Sequence, residues 1–277
     1  MSLYRTELPA SLYTAEQTRA LDRMAIASGI PGFKLMQRAG HAAFDRMQQR
    51  WSGLKRITLL CGSGNNGGDG FVIAVLAHLQ GIEVQVLCVG AEGFRERLQG
   101  EALEAYQWMR EQGVTEQYYQ PGMRFSGELV VDAMLGTGLN GTVRGDVAAA
   151  IGQVNSCGKP VLAIDIPSGL CSDSGAVLGV AVQADLTVTF IGLKQGLLTH
   201  QGVDCCGEVM FDSLRVPDEV YEAVPVSGFR TCQDDLDALL PARKASSHKG
   251  SFGHVMVIGG DRGMGGAAIM AAQAAGR

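Results

Sequence analysis

The sequence predicts an α/β protein built on a mostly parallel sheet with helices on both faces. Two observations carry this. Short apolar runs alternate with stretches of helical periodicity along the chain, and polar clusters fall where the apolar runs end. The stretch from Lys55 to Leu79 is the clearest case: an apolar run (Ile57, Leu59, Leu60, Cys61), then Gly62-Ser63-Gly64-Asn65-Asn66-Gly67-Gly68-Asp69-Gly70, then an apolar run from Phe71 to Leu79. It reads as strand, glycine loop and helix, with glycine permitting a sharp bend at low steric cost. Backbone N–H groups at the start of such a helix favour a phosphate or another anion. Glycines alone would fit a tight connection without a ligand. Packing asks for no cluster of amide and carboxylate groups, so Asn65, Asn66 and Asp69 point to a phosphate-bearing ligand.

The remaining elements follow in order. Thr14-Ala15-Glu16-Gln17 is a capping-box pattern that opens a helix carrying Leu21, Met24 and Ala25, punctuated by Gly29 and Pro31. A second helix over 33–51 has Leu35, Met36, Ala39, Ala43, Phe44 and Met47 at helical spacing. These two helices precede the first strand and are expected to dock on the sheet, where they could supply a dimer face or a lid. After Gly81, residues 83–89 read as a strand, 92–112 as a polar-rich helix closed by Gly113, and further strands are expected at 129–131, 161–164, 186–190 and 209–211.

In open parallel sheets ligands bind beyond the carboxyl ends of the strands. Three polar loops are expected on that rim: the one with Asn65, Asn66 and Asp69; Asp132 followed by Gly136 to Arg144; and Asp165-Ile166-Pro167-Ser168-Gly169. Asp132 and Asp165 each follow an apolar run directly, so each carboxylate should be partly buried. One such aspartate would read as a helix cap or turn acceptor. Two of them beside glycine-rich loops on one edge read as a site.

At 277 residues the chain exceeds the usual single-domain size of about 100–200 residues. Beyond Pro217 the pattern dissolves. From His248 a new strand-loop-helix opening begins, with a strand over 254–258, a loop over 259–266 and an alanine-rich helix to Arg277. About 30 residues cannot bury a core alone, so this reads as the start of a truncated second domain. The boundaries expected are 1–220, a linker over 221–247, and 248–277.

A formal charge of −5 offers no basic field to nucleic acid. The first seven residues lack the apolar core of a signal, and no uncharged apolar run approaches the roughly 18 residues of a membrane span. The expectation is a soluble, cytoplasmic protein with no membrane partner. Seven scattered cysteines without a C-x-x-C pair read as reduced thiols, although adjacent Cys205 and Cys206 could oxidise.

Motif matches narrow the chemistry. Gly62 to Gly67 satisfies G-x-G-x-x-G after a strand, but so does Gly136 to Gly141, and the acidic ribose ligand expected about 20 residues on is absent from Leu87-Cys88-Val89-Gly90. A hydride-transferring oxidoreductase therefore ranks second. There is no Walker-type G-K-[ST] and no G-x-S-x-G elbow, and the five histidines lack metal spacing.

Taken together, Cys61 to Gly70, Asp132 to Gly141 and Ile164 to Leu170 resemble the NAD(P)H-hydrate epimerase domain, over roughly Thr14 to Pro217. The tail from His248 is similar to the start of an ADP-dependent NAD(P)H-hydrate dehydratase, as in bacterial bifunctional repair enzymes. The resemblance implies a three-layer αβα Rossmann-like fold with an N-terminal helical extension. It also implies interconversion of the R and S forms of NADH or NADPH hydrated at nicotinamide C6, with ADP serving the dehydratase of a longer parent. Asn65, Asn66, Gly67, Gly68, Asp69, Gly136, Thr137, Gly138, Leu139, Asn140, Gly141, Thr142 and Asp165 are then expected to contact the substrate. A potassium ion is expected on Asn66, Asp132 and Ser168, which offer the oxygens a hard cation needs. Asp165 is the expected acid/base. Lys194 and Arg144 are candidates for pairing with a phosphate, a solvated loop lysine being the other reading of Lys194, and Gln195 stands where the family has proline. A homodimer or higher homo-oligomer is expected. The competing expectation is a nucleotide-binding or interaction module without catalysis.

Overall fold

The computed structural model describes residues 8–90, 93–232, 235, 239, 245–248, 250–251 and 253–276. The chain divides into two units, Met1–Arg230 and Thr231–Arg277. In the first, a short strand β1 (Ser11–Leu12) and helices α1 (Ala15–Ala27) and α2 (Gly32–Arg50) precede the sheet. Then come β2 (Arg56–Cys61), α3 (Asn65–Leu79), β3 (Glu83–Cys88), α4 (Phe94–Arg97), α5 (Gly100–Glu111), β4 (Glu116–Tyr118), β5 (Leu129–Ala133), α6 (Gly145–Ser156) and β6 (Val161–Ile164). The unit closes with β7 (Leu186–Phe190), α7 (Gly202–Cys205), β8 (Glu208–Asp212), α8 (Asp218–Glu222) and β9 (Gly228–Phe229), which pairs antiparallel with β1.

Strands β2 to β8 form one parallel sheet in the order β4-β3-β2-β5-β6-β7-β8. The chain runs outward from β2 in one direction and, from β5, in the other. The two halves therefore part between β2 and β5, which is where a crevice forms in this topology. Both sheet faces are covered. Ile57, Leu59 and Cys61 of β2 pack with Phe44 of α2 and Phe71 of α3, while Leu60 packs with Ile151 and Val154 of α6. Burial on both faces is why the strands are continuous apolar runs, each large side chain contributing about 1.5–3 kcal/mol. The capping box is present: Thr14 Oγ1 accepts from the Gln17 N–H at 3.2 Å and Gln17 Oε1 from the Thr14 N–H at 2.8 Å.

The structure departs from the sequence reading in four places. Residues 65–70 are not a loop but the first turns of α3, with Gly64 as its N-cap. The expected helix over 92–112 is split by extended backbone at Leu98 and Gln99 and by Gly100 at φ +53°, positions 91 and 92 lying outside the described residues. The polar edge strand β4 has no apolar signature to announce it. In the second unit the expected strand at 254–258 has no regular structure, and Val255, Met256 and Ile258 are exposed. A strand needs a ladder partner, and among the described residues none pairs with it. The helix expected in the tail is there, at Gly266–Ala275.

Candidate functional site

A cavity of about 660 Å³ lies at the carboxyl ends of the strands. Its walls bring together Asn65, Asn66 and Asp69 of α3, Gly136 to Asn140 after β5, Asp165 after β6, Lys194 after β7, and Thr18, Arg19 and Asp22 of α1. The three polar loops singled out in the sequence thus converge. Gly67 and Gly68 are buried within α3 instead of on the wall, Gly141 and Thr142 fall outside it, and Arg144 is an exposed N-cap residue of α6 that does not reach it.

The glycines of α3 serve close packing, not a bend. A Cβ on Gly67 would collide with the carbonyl oxygen of Gly62, one on Gly68 would stand 2.6 Å from Met36 Sδ, and one on Gly70 2.7 Å from Ala133 Cβ. Without side chains there, the first turn of the helix sits directly on the end of β2. The intrahelical ladder starts with the Gly68 N–H to Gly64 O bond at 3.1 Å. The N–H groups of Asn65, Asn66 and Gly67 precede it and carry the positive end of the helix dipole.

Behind this wall lies an oxygen-rich cradle. Asp132 is fully buried; its Oδ1 accepts from Ser168 Oγ at 2.6 Å and the Met134 N–H at 3.2 Å, and its Oδ2 from the Ser168 N–H at 2.7 Å. Burial pushes the Asp132 carboxyl up to about 6, against the pull of those hydrogen bonds. Asn66 donates through Nδ2 to Leu135 O at 2.9 Å, which turns its Oδ1 away from that carbonyl. That Oδ1 is buried without a hydrogen-bond partner. An orphaned amide oxygen costs roughly 1–3 kcal/mol, and its presence here fits a cation donor set of amide, carboxylate and hydroxyl oxygens. Among the described residues no group of three or more His, Cys, Asp or Glu could hold a metal ion.

Asp165 and Ile191 occupy equivalent points on neighbouring strands. Each has a positive φ, +66° and +59°, and each is spanned by a bond between its flanking residues: Ile166 N–H to Ile164 O at 2.8 Å and Gly192 N–H to Phe190 O at 2.6 Å. These are γ-turns of the rarer, strained form, and a β-branched residue at positive φ is a true outlier. The turns direct Asp165 toward Lys194, whose ammonium donates to Asp165 Oδ1, to Thr189 Oγ1 at 3.1 Å and to Phe190 O at 3.0 Å. The lysine side chain is 1% exposed and the aspartate 17%. Both expectations for Lys194 are therefore corrected: it is no solvated loop residue, and its three protons are engaged within the protein, leaving none for a phosphate.

Asp22 went unnoticed in the sequence, because a lone aspartate on an amphipathic helix reads as part of a solvated face. It lies on the cavity wall, and burial pushes its carboxyl up to about 6. Asp69 across the cavity is pushed well up, by burial first and then by Asp165 and Asp22. A spacing signal did exist: Asp22 follows Thr18 by one helical turn.

Comparison with known proteins shows the family of the chain. Residues 32–196 match the family described as YjeF-related protein N-terminus. The chain is 44% identical over 266 residues to the bifunctional NAD(P)H-hydrate repair enzyme Nnr of Coxiella burnetii, covering 96% of this chain and 54% of that protein. With the Escherichia coli enzyme of the same name it shares 37% identity over 271 residues, 97% of this chain and 52% of the relative. The chain thus spans about half the length of these curated relatives. The NAD(P)H-hydrate epimerase of Limosilactobacillus fermentum is 40% identical over 204 residues, 71% of this chain and 93% of that protein. The crystal structure of yeast ynu0 superposes with a TM-score of 0.59 at 17% identity, over 72% of this chain and 86% of the yeast chain, which shows a common fold.

Proposed function

Since the chain belongs to the family of YjeF-related protein N-termini, we propose that residues 1–220 form an NAD(P)H-hydrate epimerase domain. Its reaction would interconvert the R and S forms of NADH or NADPH hydrated at nicotinamide C6. The observation that carries the reading is the convergence of the Asn65–Asp69, Gly136–Asn140 and Asp165 segments on one cavity at the sheet switch point. A relative named NAD(P)H-hydrate epimerase, 40% identical over 71% of this chain, supports the same reading.

In this reading the pyrophosphate lies at the N-terminus of α3, where the N–H groups of Asn65 to Gly67 and the helix dipole favour it. The loop from Gly136 to Asn140 follows the dinucleotide, and the nicotinamide ring reaches Asp165. Inversion at C6 requires a bond at that carbon, which carries both nitrogen and oxygen, to break and re-form through an iminium or a ring-opened form, with a proton moved in either case. Asp165 is suited to move a proton there. Its Oδ1 is fixed by Lys194, the Phe190 N–H at 3.3 Å and Thr189 Oγ1 at 3.2 Å, while Oδ2 has no hydrogen bond among the described residues. Asn66 Oδ1, Asp132 and Ser168 would hold potassium. When bound, the ion would add positive charge that links the three loops and offsets the substrate phosphates.

The proposal extends to the rest of the chain. Residues 221–247 would be a linker and 248–277 the opening of an ADP-dependent dehydratase domain, the second activity residing in a longer parent. No described helix is long and apolar enough to cross a membrane, and a cytoplasmic homodimer or higher homo-oligomer accords with the reading. Incubating each purified epimer of hydrated NADPH with the chain tests it: both should relax to the same mixture faster than in buffer, and equal rates would defeat it.

A further inference from the structure

Asp22 lies outside every motif that the proposed reaction uses, yet it lines the same cavity as Asp165. Helix α1 buries Thr18, Leu21 and Ala25. Asp22 is next to Leu21 and one turn beyond Thr18, so it sits on the edge of the buried stripe. The Thr18 hydroxyl is given to Thr14 O at 3.0 Å, and no described residue hydrogen bonds the Asp22 carboxyl. Asp165 is the opposite case, its Oδ1 accepting from a buried ammonium, an N–H and a hydroxyl.

Two carboxyl groups on one cavity, one held by a counter-ion and one desolvated without a partner, are set up for separate acid and base roles. We infer that Asp22 is the general acid of the epimerisation and Asp165 its base. This rests on the epimerase reading. The Asp22 proton goes to the C6 hydroxyl, the C6–O bond breaks with its electron pair leaving on oxygen as water, and the nitrogen lone pair forms the N1=C6 iminium. Water then adds to the opposite face of C6; its oxygen forms the new C–O bond, the N1=C6 pair returns to nitrogen, and the released proton goes to Asp165. Water leaves and water enters, and one proton has crossed the cavity. In the reverse direction the carboxyls exchange roles, as microscopic reversibility demands.

The charges around Asp22 suit this. Burial raises it most; Lys194 pulls it down, Asp165 raises it, and Arg23 and Arg19 on its own helix lower it. Asp69 of α3 adds a further interacting carboxyl.

The test uses the whole chain, a purified single epimer of hydrated NADPH, and subtraction of the buffer rate at each pH. Wild type should lose kcat/KM as pH rises through about 6. Asp22→Asn should lower kcat about 100-fold or more, with KM within about threefold, and should lack that alkaline decline. Asp22→Glu should recover part of kcat. Circular dichroism and a thermal melt establish that each variant is folded. Wild-type kcat in folded Asp22→Asn, a loss confined to KM, or an unmoved pH profile would overturn the inference. A wild type no faster than buffer would overturn both it and the epimerase reading, so the two failures are distinct.

Discussion

Lys194 and Asp165 form a buried ion pair across the ends of β7 and β6, held by two strained γ-turns one strand apart. The lysine is satisfied at all three protons, so the pair is a fixed part of the cavity floor and the aspartate alone is available to a ligand.

Removing one partner leaves the other charge buried. Lys194→Met is expected to cost about 3–5 kcal/mol in urea unfolding, and Lys194→Met combined with Asp165→Asn to recover much of that. Additive losses in the double variant would show that the two side chains act independently.

The two glycines that flank the start of α3 should respond differently. Gly67→Ala drives a Cβ into the Gly62 carbonyl, whereas Gly64 has open space around it. Expected losses are about 3 kcal/mol for Gly67→Ala and under about 1 kcal/mol for Gly64→Ala, read from denaturant midpoints. Equal losses would mean that close approach is not what the glycine provides.

Potassium should stabilise the fold through the orphaned Asn66 oxygen. At ten times its Kd, the ion adds about 1.4 kcal/mol, a rise of roughly 3–5 °C for a unit of this size. Choline should give no rise, and Asn66→Ala should abolish the response. The same Tm in both salts would remove the ion from the account.

Stability should also depend on pH through Asp22. Its carboxyl titrates at about 6 in the folded chain and about 3.9 unfolded, so between those values the native state holds more protons. Stability from this group therefore falls as pH rises from about 4 to 6, and is level above. Asp22→Asn lacks that fall. Its urea midpoint should match wild type below pH 4 and exceed it above pH 6; a constant offset would place Asp22 in solvent.

The legible parts of the fold were those written in apolar runs. β2, β5, β6 and β7 are buried on both faces, so pattern and structure coincide, and the loops that follow them carried the cavity walls. Residues 65–70 misled because glycine argues against helix on propensity, while the reason for glycine was contact with Gly62, Met36 and Ala133, which local sequence does not encode. Lys194 was hidden for a similar reason: its partner lies 29 residues away, and only the γ-turns bring the two together. β4 is short, polar and at the sheet edge, where burial imposes no pattern. At 254–258 the strand pattern is plain, but among the described residues no strand pairs with it, and pattern alone makes no ladder.

The most direct measurement is the time course of one purified epimer of hydrated NADPH, by proton NMR in potassium buffer, with wild type, with Asp165→Asn and with buffer alone. The account predicts rapid relaxation to the mixed epimers with wild type and a rate near that of buffer with the variant. Folded, potassium-loaded wild type that leaves the epimer at its spontaneous rate would contradict it, and would leave a cavity that binds a nucleotide without acting on it.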